Sequence, residues 1–233
     1  MPACAGVGWH FVGRHLHASA GEQPSPIRLA LLLVAGFVLI LAAGSGFAEI
    51  AEGIGHGGEV ARFDEVFAAS LAANVGQDAR RVFSAITRLG DPSTLVGLAI
   101  VVAVALVVAG RPRLAFGWIA ALAGNALLNH TLKAVFERVR PAHDPSFVAA
   151  TGWSFPSGHS SGAVVAYGLL AYLLVRLLPR RWHLPAVVLA AALAFTIGVS
   201  RIFVGVHFAS DVLAGFLSVC VVAMEFGRRY RPR

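Results

Sequence analysis

Lysine is all but missing from this chain: of its 19 cationic side chains 18 are arginine and only one, Lys133, is lysine. Charge of either sign is scarce, at 13% of residues, while 57% are hydrophobic and the mean hydropathy is +0.73. That shortage excludes an ordinary soluble domain of 233 residues and makes the bilayer the natural solvent. Cysteine is scarce too. Cys4 and Cys220 lie near opposite ends, so neither a disulfide framework nor a thiolate metal cluster is indicated. The net charge of +7 would ordinarily raise the question of nucleic acid, but the cations are scattered in short groups between apolar runs, and no nucleic-acid partner is expected. The first 27 residues hold Trp9, Arg14, three histidines and Pro24-Ser25-Pro26 but no apolar core for a separate signal peptide. They are expected to form a loosely ordered cytoplasmic tail, with the first span acting as the targeting signal. An Arg- and Ala-rich composition suits a GC-rich bacterial gene.

What the chain has in quantity is apolar runs. Six can be marked, at about 28–48, 93–109, 114–132, 159–178, 184–200 and 207–226, each bounded by Gly, Pro or Arg clusters. A hydrocarbon core of about 30 Å takes about 20 helical residues to cross. The expected fold is therefore all-α, a bundle of six transmembrane helices forming a single domain over 28–226, with a basic cytoplasmic tail at 227–233. With the N-terminus inside, eleven arginines fall in the cytoplasm and eight cations outside; without Lys133, Arg140 and Arg201, which belong to motifs, the contrast is eleven to five. Both termini are expected in the cytoplasm and the motif loops on the periplasmic or exterior side of the inner membrane.

The segment between the first two runs has another character. Val60, Phe63, Phe67 and Leu71 form one apolar stripe and Val82, Phe83, Ile86 and Leu89 a second, with Asp64, Glu65, Arg81, Ser84 and Arg88 between them. Two amphipathic helices along the membrane surface are expected. Asp91-Pro92 suits an N-cap followed by proline in the first turn of the next span.

Three stretches carry nearly all the exterior polar chemistry. Lys133-Ala-Val-Phe-Glu-Arg-Val-Arg140-Pro141 sets two cations seven residues apart, an interval that puts both on nearly one face of a helix. In Ser154-Phe-Pro156-Ser157-Gly158-His159, Ser157 can cap the helix that follows and Gly158 can let a ligand approach the backbone. Free N–H groups and the positive helix end there suit a phosphate. Ser200-Arg201-Ile-Phe-Val-Gly-Val-His207-Phe-Ala-Ser-Asp211 places His207 and Asp211 four apart, the interval of one helix face. A carboxylate bonded to one ring nitrogen fixes the tautomer and leaves the other nitrogen free to attack.

Taken together and in order, these stretches resemble the three-part signature of the type 2 phosphatidic acid phosphatase superfamily, which also contains the vanadium haloperoxidases. The motifs cover 27 residues, and the likeness in span layout extends over roughly 28–226. The resemblance implies that His207 attacks phosphorus and forms a phosphohistidine, with Asp211 orienting it. His159 would be the general acid on the leaving oxygen and then the general base on water. Lys133, Arg140, Arg201, Ser157 and the Gly158 N–H would hold the phosphoryl oxygens, with no metal and no cofactor. Fixed cations and N–H donors are what phosphoryl transfer requires, since its catalysis is mostly positioning and electrostatics.

Blander roles exist for each of these residues. An isolated histidine near a helix end is ordinarily structural, and interfacial Lys or Arg ordinarily snorkels to headgroups; the mutual spacing sets these residues apart. Asn125, Asn129 and His130 read as interhelical hydrogen-bonding groups, His143 and Asp144 as loop polarity or a substrate rim, and Gly53 to Gly58 around His56 as an exit from the first span. Trp153 suits either an interfacial anchor or a cover over substrate. The expected function is an integral membrane lipid phosphate or diphosphate phosphatase. Undecaprenyl diphosphate is placed first among substrates, with phosphatidylglycerol phosphate and phosphatidic acid close behind. A phosphotransferase using the same site and a non-hydrolytic transport protein are the competing readings.

Overall fold

The computed structural model describes residues 26–142 and 146–229. The expected N-terminal tail, His143 and Asp144, and the last residues of the basic tail lie outside them. By internal contacts the chain falls into two units, Met1–Val38 and Leu39–Arg233. In the first, the described residues are the opening of a helix; the second carries everything discussed below.

The described residues form eight α-helices and no strand: α1 (Pro26–Ile54), α2 (Glu59–Asn74), α3 (Gln77–Thr87), α4 (Pro92–Val108), α5 (Pro112–Phe136), α6 (Gly158–Leu177), α7 (His183–Phe203) and α8 (Ala209–Arg229). The all-α expectation holds, and each of the six apolar runs corresponds to a helix with ends shifted by a few residues. Prolines open α4 and α5, where a missing N–H costs nothing. Three helical segments among the described residues are long and apolar enough to cross a membrane, Gln77–Val108, Gly158–Leu177 and Arg180–Phe203. The α5 helix, which carries Asn125, Asn129, His130 and Lys133, is not among them.

The centre of the bundle is α6. It packs against α7, α8 and α5, while α3 lies on α7. Small residues allow the close approach. A Cβ added at Gly198 would sit 2.3 Å from the Phe216 ring, and one at Gly215 would meet the Ser157 carbonyl oxygen at 2.6 Å. The α5 Trp118, buried with Leu106, Ala115 and Leu173, donates its indole N–H to Ala99 O at 3.1 Å and so ties α5 to α4. On the outside, Val96, Ile100, Val104 and Val108 of α4 and Leu184, Val188 and Phe195 of α7 are exposed. At about 25 cal/mol per Å² such surface is costly in water and costs nothing in hydrocarbon. The chain is an integral membrane protein.

Three local expectations need correction. The α5 helix stops at Phe136, because Glu137 takes a left-handed conformation (φ 44°), so Arg140 stands in an irregular segment and not two turns up the helix from Lys133. His207 likewise lies in the turn between α7 and α8, two residues before α8 begins, so His207 and Asp211 do not share a helix face. On α2, finally, it is the carboxylate of Asp64 that is buried, at 1% exposure, while Phe63 is 61% exposed. Both segments are helical, but α2 turns an acid inward and stacked Phe63 and Phe67 rings outward.

Candidate active site

The C-terminal ends of α5 and α7 and the N-terminal ends of α6 and α8 converge, and the three motifs cross-link one another there. Lys133 Nζ donates to the carbonyl oxygens of Trp153 and, at 3.1 Å, Ser154. Arg140 spreads its guanidinium over the same loop, from Nε to Gly152 O at 3.0 Å and from Nη2 to Thr151 O at 3.2 Å and Trp153 O at 3.1 Å. Its Nη1 reaches the third motif, donating to Val206 O at 2.8 Å. The second and third motifs join where Ser157 N donates to Asp211 O at 2.9 Å and where Ser154 Oγ donates to the Asp211 carboxylate.

The geometry of His207 fixes its tautomer. Nε2 lies 3.0 Å from Arg140 Nη1, and a guanidinium can only donate, so Nε2 must carry a lone pair. The proton then sits on Nδ1, which faces Asp211 Oδ2 at 3.3 Å. The carboxylate is itself fully engaged: Oδ2 also accepts from Phe208 N at 2.9 Å, and Oδ1 accepts from Arg138 Nη1 at 2.7 Å. A neutral imidazole whose lone pair is oriented in this way has the chemistry to act as a nucleophile.

Burial, only partly offset by Asp211, holds the His207 imidazole far below the ordinary histidine range, to about 3. Unfolding would return it to about 6.5, so between those values the unfolded chain binds more protons and stability falls as pH drops through the window. At pH 5 the loss is about 2 kcal/mol relative to neutral pH. Melting curves in detergent are expected to show the wild type losing more stability on acidification than His207→Gln, which has no group titrating there.

Arg201 is 3% exposed, and one guanidinium nitrogen, Nη1, donates to Thr87 Oγ1 at 2.9 Å while Nε has no partner. A buried donor without an acceptor costs about 1–3 kcal/mol, and a site that retains one is arranged for an incoming acceptor. Among the described residues none of Lys133, Arg140 and Arg201 is in ion-pair contact with a carboxylate; the buried acids Asp64 and Asp211 are both taken by Arg138. Three cations are thus left for an anionic ligand. Arg201→Ala is expected to lower kcat by ~10²–10³ with a smaller change in KM, which steady-state phosphate release measures.

His159 stands apart from the other cross-links. Its Nε2 pairs with Asp91 Oδ1 at 2.9 Å, which leaves Nδ1 for a substrate oxygen. Asp91 does occupy the N-cap of α4, but its side chain makes no cap bond and holds the histidine instead. Gly90 lets that turn fit, since a Cβ there would lie 3.1 Å from the His159 ring. Ser157 caps α6, accepting from Ser160 N at 3.4 Å. At Gly158 a Cβ would meet Asn129 Oδ1 at 2.9 Å, so the glycine leaves room for its α5 neighbour. Asn125 makes the expected interhelical bond, to Ser161 Oγ, whereas Asn129 donates to Pro156 O in the loop before α6, both at 3.4 Å.

Comparison with known proteins agrees with this constellation. The family model of the PAP2 superfamily matches residues 114–230, half of the chain and all three motifs. The chain belongs to the PAP2 superfamily. Phosphatidylglycerophosphatase B of Bacillus subtilis (strain 168) is 36% identical over 137 residues, 58% of this chain and 67% of that protein. The crystal structure of a transmembrane PAP2-type phosphatidylglycerolphosphate phosphatase from Bacillus subtilis superposes with a TM-score of 0.75 at 29% identity, covering 82% of this chain and 97% of that one. Aquifex aeolicus LpxE, at 24% identity and a TM-score of 0.52 over 70% of this chain and 93% of its own, shares the fold. This PAP2 protein is a membrane phosphatase acting on lipid phosphate.

Asp64, Arg138 and Ser154, which tie the PAP2 site together, have no role that the motifs assign, and Asp91 has only that of a helix cap. Ser154 and Arg138 lie inside the motif stretches, where adjacency to assigned residues was the available signal. Asp91 was visible only as a helix start.

Proposed function

We propose that the protein hydrolyses a lipid phosphomonoester or diphosphate, phosphatidylglycerol phosphate first and phosphatidic acid or undecaprenyl diphosphate next, through a phosphohistidine on His207 and without a metal ion. The observation that carries this reading is the lone pair of His207 Nε2, fixed by Asp211 on the far nitrogen and facing Arg140. The names of the Bacillus subtilis relatives move phosphatidylglycerol phosphate ahead of undecaprenyl diphosphate.

In this scheme Lys133, Arg140 and Arg201, with Ser157 and the Gly158 N–H at the start of α6, hold the non-bridging oxygens. His207 Nε2 attacks phosphorus opposite the lipid oxygen. As the N–P bond forms, the P–O bond to the lipid breaks, and the departing oxygen takes a proton from His159. A water molecule then gives a proton to His159 and its oxygen attacks phosphorus. The N–P bond breaks, inorganic phosphate leaves, and Nε2 recovers its electron pair. Arg140 Nη1, which donates to Nε2, turns to the phosphoryl oxygen once the lone pair is in use.

The enzyme is read as spanning the inner membrane six times, α1 and α4 to α8 crossing and α2 and α3 lying at the exterior interface. The termini are then cytoplasmic and the site is level with the headgroups. The exposed Phe63, Val66 and Phe67 of α2 support an interfacial position. The test is phosphate release by protein purified in detergent, in the presence of EDTA, from the three lipids side by side. Release that survives the chelator and is fastest with phosphatidylglycerol phosphate is the expected result. No release from any of them sinks the proposal, and release that requires an added divalent cation removes its metal-free mechanism.

A further inference from the structure

Asp64 is 146 positions from the residue it bonds most closely, yet it is one of the most deeply buried charges described. It lies on α2, outside every motif. Its Oδ1 accepts from Ser210 N at 3.2 Å, and its Oδ2 accepts from Ser210 Oγ and, at 2.8 Å, from Arg138 Nη2. The other arm of the same guanidinium, Nη1, donates to Ser210 Oγ at 2.8 Å and to Asp211 Oδ1 at 2.7 Å. The Arg138 side chain is only 9% exposed and lies over the Phe208 ring, 4.2 Å from its centroid. A continuous buried line therefore runs Asp64, Arg138, Asp211, His207, with alternating charge up to the imidazole.

We propose that Asp64 and Arg138 are positioning residues for the nucleophile: Asp64 orients the Arg138 guanidinium, which sets the rotation of the Asp211 carboxylate and so the aim of His207 Nε2. This inference rests on His207 being the nucleophile. Stability alone is a poor explanation for the arrangement, because burying three charges costs desolvation that their attraction at best returns, and apolar replacements of similar volume are often as stable. What the line supplies is direction. Asp211 accepts four hydrogen bonds, from His207, Ser154, Phe208 N and Arg138, and only the one from Arg138 reaches Oδ1. With Arg138 displaced, Oδ1 loses its anchor and the carboxylate can turn about its Cβ–Cγ bond, carrying His207 with it. Arg138 cannot hold its place on Asp211 alone, because the fork of a guanidinium is planar and Asp64 fixes the far arm of that plane. The line also keeps Asp211 and Asp64 from competing for Lys133, Arg140 and Arg201, whose charge is left for the phosphoryl group.

The test is steady-state and single-turnover kinetics of Asp64→Asn, which keeps the side-chain size and removes the charge. The expected result is a fall of roughly 10- to 100-fold in kcat and in the rate of phosphoenzyme formation, with KM within about threefold of wild type, since an aim displaced by less than an ångström slows chemistry and spares lipid binding. Arg138→Lys keeps a buried cation but cannot bridge two carboxylates. It is expected to show the same split, and it takes the place of Asp64→Asn if that variant yields no folded protein. A kcat within twofold of wild type in whichever variant folds, or a KM that rises as far as kcat falls, overturns the inference. Wild type and His207→Ala are run alongside. Equal release from those two would remove the phosphohistidine reading itself, whereas a normal wild type, a dead His207→Ala and an unaffected Asp64→Asn would remove only the role given to Asp64 and Arg138.

Discussion

His207→Ala is expected to release no phosphate above background, a loss of at least about 10⁴-fold in kcat, as removal of a covalent nucleophile brings in other hydrolases. No described side chain near it can take over the attack. Ser154 Oγ is committed to Asp211, and Lys133 Nζ is bonded to two carbonyl oxygens. Lys133, Arg140 and Arg201, the cations proposed to hold the phosphoryl group, remain in the variant, so lipid affinity should survive while turnover does not. Two measurements check this: phosphate release, and trapping of radiolabelled phosphate on the protein after brief exposure to substrate and a denaturing quench. Wild type should carry acid-labile label and His207→Ala none. Label on His207→Ala would place the covalent intermediate elsewhere.

Asp211→Asn should be nearly as damaging, about 10³–10⁴ in kcat, the size of effect seen when the carboxylate behind a catalytic histidine becomes an amide. The reason is the tautomer. A carboxylate can only accept, so it draws the proton to Nδ1, whereas an amide can turn its NH₂ to Nδ1 and leave the proton on Nε2, where the lone pair is needed. The amide also leaves Arg138 with one buried carboxylate in place of two. The effect should appear in kcat and in phosphoenzyme formation with KM little changed; if KM alone rises, Asp211 serves binding and not the nucleophile.

Six of the described helices are legible as apolar runs and α2 and α3 as amphipathic stretches, and the three motifs are legible because each is short and local. What the sequence hides is where tertiary contact overrides local pattern. Asp64 sits beside Glu65 on an amphipathic helix, which is how a solvated face looks; only its contacts with Arg138 and Ser210 distinguish the two acids. Arg138 lies in the interval between Lys133 and Arg140, which the motif leaves unspecified. The helix-breaking turn at Glu137 has no glycine to announce it, although Pro141 already restricts Arg140 to extended backbone. Asp91 looked complete as a cap, and a residue with one sufficient explanation gives no reason to seek another.

The distances along the chain between bonded partners have a consequence for biosynthesis. His159 takes its partner from 68 positions upstream, Arg138 from 74, Arg201 from 114 and Ser210 from 146. Of these links only the last waits for α8: a fragment that ends before Ala209 already holds both ends of the other three, but lacks Ser210 and Asp211. A chain interrupted before Ser210 therefore carries the cations and both histidines without the carboxylate behind His207, and the centre is completed when the start of α8 packs into the bundle and closes it on α2.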